Sequence, residues 1–582
     1  MNSKSCILSA GLLLLFSISA VQGQETSAGA DKSRDADKAV RDKAYALLES
    51  LAAQIPTLES AENRARLGSN IAASIWDHDE KLARGLLNGV QEEIRNALQN
   101  FSQQESPDIQ ARTAFLKLRT DTVERMAKRD PELALAFLKA TEPAQDPTAR
   151  YPITDTERAL EMQLAEAIAA DNPELALKLG RQSLARGFSD GLFPVLRQLQ
   201  RKHSSQATTL YRETIARIRD ADIAKNDEAF YFAESLAVAF KPPVVDESDF
   251  RDLIGMFIST ALAKGCGNKM SDDDPRAEFC DRFGSLLKVM EKVDPARASQ
   301  LKQWAPDPSE ETGYQSSSEA YQELNEVARE GTPDEIIALA RKYPEIQSDA
   351  YWRAMMRAVQ LGELDRARKI ANDFSGDPES KQRMLAQIEQ AQKWASLNEE
   401  KLTEIQKSLS EIPRPEERIG ALFMVVFRAG AMDRKVVLKL IDQAAELADT
   451  MKPGRDRIQM QIMIAMLYCL HGSDRGLAIM DSILPELNEV VSAAARLDGY
   501  EHNYLRAGEW NMSSEGSVGE ILTVLARMAG YFAWCDFDRA VSLTSKFARP
   551  EIRMMAQLKL AQGILAGRPK ALPFPTSPMI DY

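Results

Sequence analysis

Histidine is scarce: the chain has four in 582 residues. Little general acid–base chemistry near neutral pH can be built from so few imidazoles. His78, His203 and His471 each fall beside an expected helix end, where surface histidines are common. There is no Gly-x-Ser-x-Gly, no His-Glu-x-x-His and no phosphate-binding glycine loop. Ser285-Leu286-Leu287-Lys288 and Ser299-Gln300-Leu301-Lys302 match a Ser-x-x-Lys pattern, but the partner Ser-Asp-Asn and Lys-Thr-Gly motifs are missing. Both read as coincidence. Positive charge is also in deficit. The formal net charge is -13, and Lys and Arg are scattered along helix faces without interleaved aromatics. That argues against nucleic acid or an anionic membrane surface as partner.

Long apolar runs are missing after the first 23 residues. Ile458 to Leu470 is apolar but brief, and Gln459 and Gln461 interrupt it, so it reads as a buried helix. Met1 to Gly23 reads as a secretory signal. Lys4 gives the positive start, Ile7 to Ile18 the apolar core, and cleavage is expected after Gly23 or Ala20. The run is short for a spanning helix, so no integral membrane segment is expected once the signal is cut. Residues 24–39 are small, charged and aperiodic and are expected to form a disordered lead-in. These features point to a periplasmic or secreted protein of bacterial type.

Cysteine is also sparse, with five in the chain, and Cys6 leaves with the signal. Cys266 and Cys280 flank a loop with glycine on either side of Cys266. In an oxidising compartment a disulfide closing that loop is the expected state. Cys469 and Cys535 lie at the ends of apolar helices and read as buried thiols or a second bridge, with the choice open. No histidine lies near the loop, so a zinc site has little support. Asp272, Asp273 and Asp274 in the same loop match no calcium-loop spacing and read as a solvated turn. No cofactor is called for.

What the chain has in abundance is helix-favouring Ala, Leu, Glu, Arg and Met. The segment Tyr351 to Trp394 shows the pattern best. Tyr351, Ala354, Met355, Ala358 and Leu361 make one apolar stripe, and Gly362 ends the helix. A second helix carries Leu364, Ala367, Ala371 and Phe374 on one face. Asp377-Pro378-Glu379 restarts the chain: Asp as cap, Pro at the first helical position, Glu at the positive end of the dipole. The third helix buries Met384, Leu385, Ile388, Ala391 and Trp394. Each helix is too short to stand alone and must stack on neighbours. The same punctuation recurs at Asp130-Pro131, Asn172-Pro173, Asp294-Pro295, Thr332-Pro333, Asp474 and Asp536, at irregular intervals, some of them in the range of roughly 30 to 50 residues typical of helical repeats.

The chain resembles the tetratricopeptide-like superfamily of helical repeats. Tyr351, Gly362, Ala367, Phe374 and Pro378 sit near positions that the family pattern favours, as do Tyr531, Ala540 and Phe547. Met355 and Met528 depart from the small residue of its first helix, and Ala371 and Thr544 from its second-helix aromatic. The resemblance implies an all-α fold, an α-solenoid of stacked antiparallel helix pairs, and a peptide- or protein-binding groove. It carries over no functional residue. The expected divisions are helical repeats over 40–303, a Pro/Ser/Asp/Glu-rich linker or long loop over 304–318 that could separate two halves, repeats over 319–566, and a Pro-rich tail over 567–582.

One polar cluster stands out: His502, Asn503, Tyr504 and Arg506, followed by Glu509 and Trp510. Polysaccharide lyases of helical toroid fold use Asn, His, Tyr and Arg to neutralise a uronate and move its proton. There the residues gather from different helices. Here they are contiguous, and the plain reading is a polar helix or loop before a flexible segment, Asn511 to Gly519. The expectation is an exported, non-catalytic scaffold for a protein or peptide partner. The alternative is an enzyme of helical toroid or superhelix type acting on polysaccharide or peptidoglycan.

Overall fold

The computed structural model of the chain describes residues 27–104, 108–143, 153–266, 276–301, 320–395 (without 322, 326, 329 and 330), 409–500 (without 411 and 429–433), 502–512 and 516–567. The expected signal, the linker 304–318, Asp272 to Asp274 and the tail beyond Gly567 lie outside these residues, as does the side chain of Trp394.

The proline-led helix starts form as their residues dictate. Asp130 accepts from the Leu133 amide at 2.8 Å, with Pro131 at the first helical position. Asn172, Asp294 and Asp536 do the same for Leu175, Arg297 and Arg539. Thr332 and Glu335 make a reciprocal capping box. Each cap satisfies an amide that the first turn cannot pair internally. Asp474 is the exception, since its backbone is helical and its side chain makes no cap bond.

The stretch Tyr351 to Ile388 follows its periodicity closely. Ala354, Met355, Ala358, Ala367, Ala371, Phe374, Met384 and Ile388 are buried. Gly362 takes φ +76°, the left-handed turn expected of it. Leu361 departs from the expected stripe: it falls one residue past the helix Gln347–Gln360 and is exposed. Ile370 is buried in its helix beside Ala371.

The helices stack as pairs in two layers. In one layer every second helix touches the next: Gln347–Gln360, Pro378–Ala395, Pro415–Arg428, Arg455–Leu470, Ser517–Ala533 and Pro550–Leu565. That row does not stop at the last helix. It continues from Pro550–Leu565 to Ala61–Ile75, Ile109–Ala127, Ile153–Ile168 and Leu192–Lys202. Among the described residues the first helix, Ser27–Gln54, packs along the last one, Pro550–Leu565, so these two together make one helix pair of the stack. This first helix begins well ahead of Val40, inside the stretch expected to be a lead-in. Its residues are good helix formers, and packing on the last helix supplies the stabilisation that propensity alone does not.

Buried apolar side chains among the described residues gather into two clusters. The larger joins Ala44 to Leu301 with Ile419 to Ile564, and the smaller runs from Ala320 to Ile388. The larger cluster therefore spans the meeting of the ends. Close helix approach there depends on glycine. A Cβ on Gly563 would lie 2.3 Å from the Gly530 Cα, so both positions must be bare for Ser517–Ala533 and Pro550–Leu565 to touch. No described helix is long and apolar enough to cross a membrane.

Candidate functional site

The segment read as a polar helix or loop is a β-hairpin. Leu505–Arg506 pairs antiparallel with Glu509–Trp510, Leu505 opposite Trp510 and Arg506 opposite Glu509. The turn is Ala507-Gly508, with φ of 51° and 79°. A two-residue hairpin loop whose twist matches the strands needs both central residues left-handed. Glycine adopts this freely, whereas Ala507 is strained there.

The hairpin is wedged where the chain ends meet. Arg506 pairs with the buried Glu62, and its other nitrogen lies 4.0 Å from Asp108. Glu509 accepts from the backbone amides of Glu59 at 2.7 Å and Ser60 at 3.1 Å, and from Asn63 Nδ2 at 3.0 Å. Asn63 Nδ2 also donates to the Trp510 carbonyl at 3.0 Å. Glu509 thus puts a carboxylate at the N-terminus of the helix Ala61–Ile75, where free amides and the helix dipole favour negative charge. On the other side the Trp510 amide donates to the buried Glu551 at 2.7 Å, and Arg549 reaches both Glu551 and the Gly508 carbonyl. The indole of Trp510 is 2% exposed and stacks on Tyr504 at 5.4 Å. Further along the seam, Lys43 pairs with Asp538, and Gln562 Nε2 donates to Ser74 Oγ at 3.1 Å.

The four residues singled out by sequence are therefore neighbours with different tasks. Tyr504 is core, and Arg506 is an ion-pair partner. His502 and Asn503 are exposed: the His502 ring meets Tyr504 edge-on at 5.5 Å, and Asn503 Nδ2 lies 3.5 Å from Gln110 Oε1. These contacts are those of a latch joining remote parts of the chain. The expected flexibility from Asn511 onward is not seen at its start, since Asn511 is buried and its amide donates to the Tyr504 carbonyl at 2.7 Å. Glu62, Asn63, Glu509 and Glu551 complete the latch. Ala507-Gly508 between alternating residues was the available signal for the hairpin, but nothing local marks its partners.

Both cysteine pairs are bridged, Cys266 to Cys280 and Cys469 to Cys535. The second ties the helix Arg455–Leu470 to the turn after Ser517–Ala533, and answers the pairing that spacing left open. His471, beside it, is held below the ordinary imidazole range by burial and by the Arg434 charge. Elsewhere, a surface cleft of 640 Å³ is bordered by Arg219, Asp222, Arg251, Asp252, Asp294 and Arg297. Its charges largely satisfy one another: Arg219 lies 3.6 Å from Asp252, Arg297 3.9 Å from Asp294, and Asp222 2.8 Å from Lys225. Among the described residues no group of three or more His, Cys, Asp or Glu side chains is placed to hold a metal ion.

No protein-family model matches the chain, and no curated protein matches it. One solved structure to which it is similar is described as a circular tandem repeat protein with novel repeat topology and enhanced subunit contact surfaces. It is 14% identical, the match covers 90% of this chain and 97% of that one, and the TM-score is 0.12. A score that low carries no weight for fold or function. The fold established here is a stacked helical-repeat architecture, argued from the contacts above.

Proposed function

We propose that the protein is an exported helical-repeat scaffold that binds a protein or peptide partner and has no catalytic role of its own. The observation that carries this reading is an apolar surface beside the latch. Ile109, Leu497 and Tyr500 are exposed, Tyr500 at 85%. Asn503 reaches Gln110, next to Ile109, and so places the loop holding Leu497 and Tyr500 near the start of the helix Ile109–Ala127. Large apolar side chains grouped on a surface favour a macromolecular contact. The paired cysteines support export, because disulfides persist in oxidising compartments. The net charge of -13 favours a protein partner over nucleic acid.

The test is site-specific photo-crosslinking in the cells of origin, with the crosslinker at Tyr500 and, as a control, at Val244 on a distant loop. A partner protein captured from Tyr500 and lost on Leu497→Glu, with no capture from Val244, is the expected result. Equal capture from both positions, or none from Tyr500, would reject this face as the binding surface.

A further inference from the structure

The layer that continues across the meeting of the chain ends sets three cations on three adjacent helices. Arg66 comes from Ala61–Ile75, Arg125 from Ile109–Ala127 and Lys559 from Pro550–Leu565. All three are half-buried. Among the described residues the carboxylates that act on Arg66 and Arg125 are Glu62, Asp121 and Glu124. Glu62 is shared between Arg66, at 2.7 Å, and Arg506 of the hairpin. Asp121 lies 4.0 Å from Arg125 Nη2, too long for a hydrogen bond. The close partners of Arg125 and Lys559 are neutral: Arg125 Nη1 donates to Ser69 Oγ at 3.2 Å, and Lys559 Nζ to Gln562 Oε1 at 2.9 Å. Ser69 and Ser74 lie on the intervening helix, and Ser74 receives the Gln562 amide, so Lys559 is tied to the same helix that Arg125 reaches.

Half-burying Arg125 and Lys559 near one another, with neutral hydrogen-bond partners, is unfavourable unless an anion joins them. The effect shows on both groups. Burial pushes the Arg125 guanidinium down, with Asp121 opposing and Arg66 adding to the shift, and burial, then the charge of Arg125, pushes the Lys559 ammonium down. A guanidinium offers a planar fork to an oxyanion, and an ammonium adds a compact charge with further donors. We propose that Arg66, Arg125 and Lys559 form a binding site for an oxyanion, the carboxylate or phosphate group of a ligand, assembled only when Pro550–Leu565 meets Ala61–Ile75. An anion held there bridges residues from both ends of the chain. Its binding free energy therefore adds to the stability of the closed stack.

The test uses the full mature chain and follows thermal unfolding in sodium phosphate and in sodium acetate, each against sodium chloride at matched ionic strength. A saturable rise in Tm beyond that in chloride is expected. The oxyanion that gives it at the lower concentration, phosphate or acetate, identifies the group the site prefers. Lys559→Gln and Arg125→Gln should each weaken the apparent affinity at least tenfold, Lys559→Arg should keep it, and Arg219→Gln in the distant cleft should leave it unchanged. Lys559→Gln should also unfold no earlier than the parent in chloride, because it removes a poorly compensated buried charge. The proposal is overturned if neither oxyanion exceeds chloride, if Lys559→Gln binds as the parent does, or if Lys559→Gln no longer folds.

Discussion

The block from Ala320 to Ile388 and the seam between the chain ends are built from the same kind of helix but held together differently. In the block each helix packs on its sequence neighbours, the buried residues are Ala, Ile, Leu, Met and Phe at helical spacing, and caps are supplied locally by Thr332 and Asp377. At the seam the partners are hundreds of positions apart, and polar groups do much of the joining. Glu509 caps a helix that begins at Ala61, and Glu62 and Glu551 are buried with their cations beside them. A stack of repeats can add units at either end, with each interface nearly independent of the rest. A stack whose ends meet has one interface that must recognise itself and no other. Buried, directional polar pairs serve that purpose because a wrong partner leaves them unsatisfied.

Breaking the seam and the block in parallel tests this contrast, and the largest effect is expected from their buried aromatics. Trp510→Ala and Phe374→Ala should each cost about 4 kcal/mol, the usual range for emptying an aromatic site. Hydrogen exchange should tell them apart. Loss of Trp510 should expose amides of Ala61–Ile75 and Pro550–Leu565 together, whereas loss of Phe374 should stay within the Gln347–Ala395 helices. If Trp510→Ala loosens only the hairpin, the seam is not a cooperative unit.

A smaller difference is expected from the ion pairs. Arg506→Ala removes one charged partner of the buried Glu62 and should cost about 3 kcal/mol. Arg366→Ala in the block removes solvent-screened pairs to Asp334 and Glu363 and should cost only a small fraction of that. Equal denaturation midpoints for the two variants would mean that the seam pair is no more than a surface contact. The smallest effect belongs to local capping. Asp377→Ala removes the acceptor of the Ser380 amide, bonded at 2.9 Å, and should give a slight fall in denaturant midpoint without a change in slope.

Much of the block was legible in the chain because its determinants are short-range. Apolar residues three and four apart name the buried face, and an Asp-Pro or Thr-Pro pair names the helix start. Ala354, Ala358, Ala367 and Phe374 are buried where periodicity put them, and Leu361 escapes only because the helix ends one residue earlier. The candidate site was legible as a cluster but not as a task. His502, Asn503, Tyr504 and Arg506 stood out as polar residues in one stretch, yet what each does depends on Glu62, Gln110 and Trp510. Ala507-Gly508 carries the turn in its own sequence, whereas the amides that Glu509 caps belong to Glu59 and Ser60.

The helical class, the stacking of pairs, most cap positions and the loop closed between Cys266 and Cys280 follow from propensity and spacing within a few tens of residues. Long-range packing brings Cys469 to Cys535, makes one pair of Ser27–Gln54 and Pro550–Leu565, and seats the hairpin beside them. The reason is physical. Local patterns fix which face of a helix must be buried, but an apolar stripe does not specify its mate. The mate is chosen by shape and by the few buried polar groups that only one arrangement of the whole stack can satisfy.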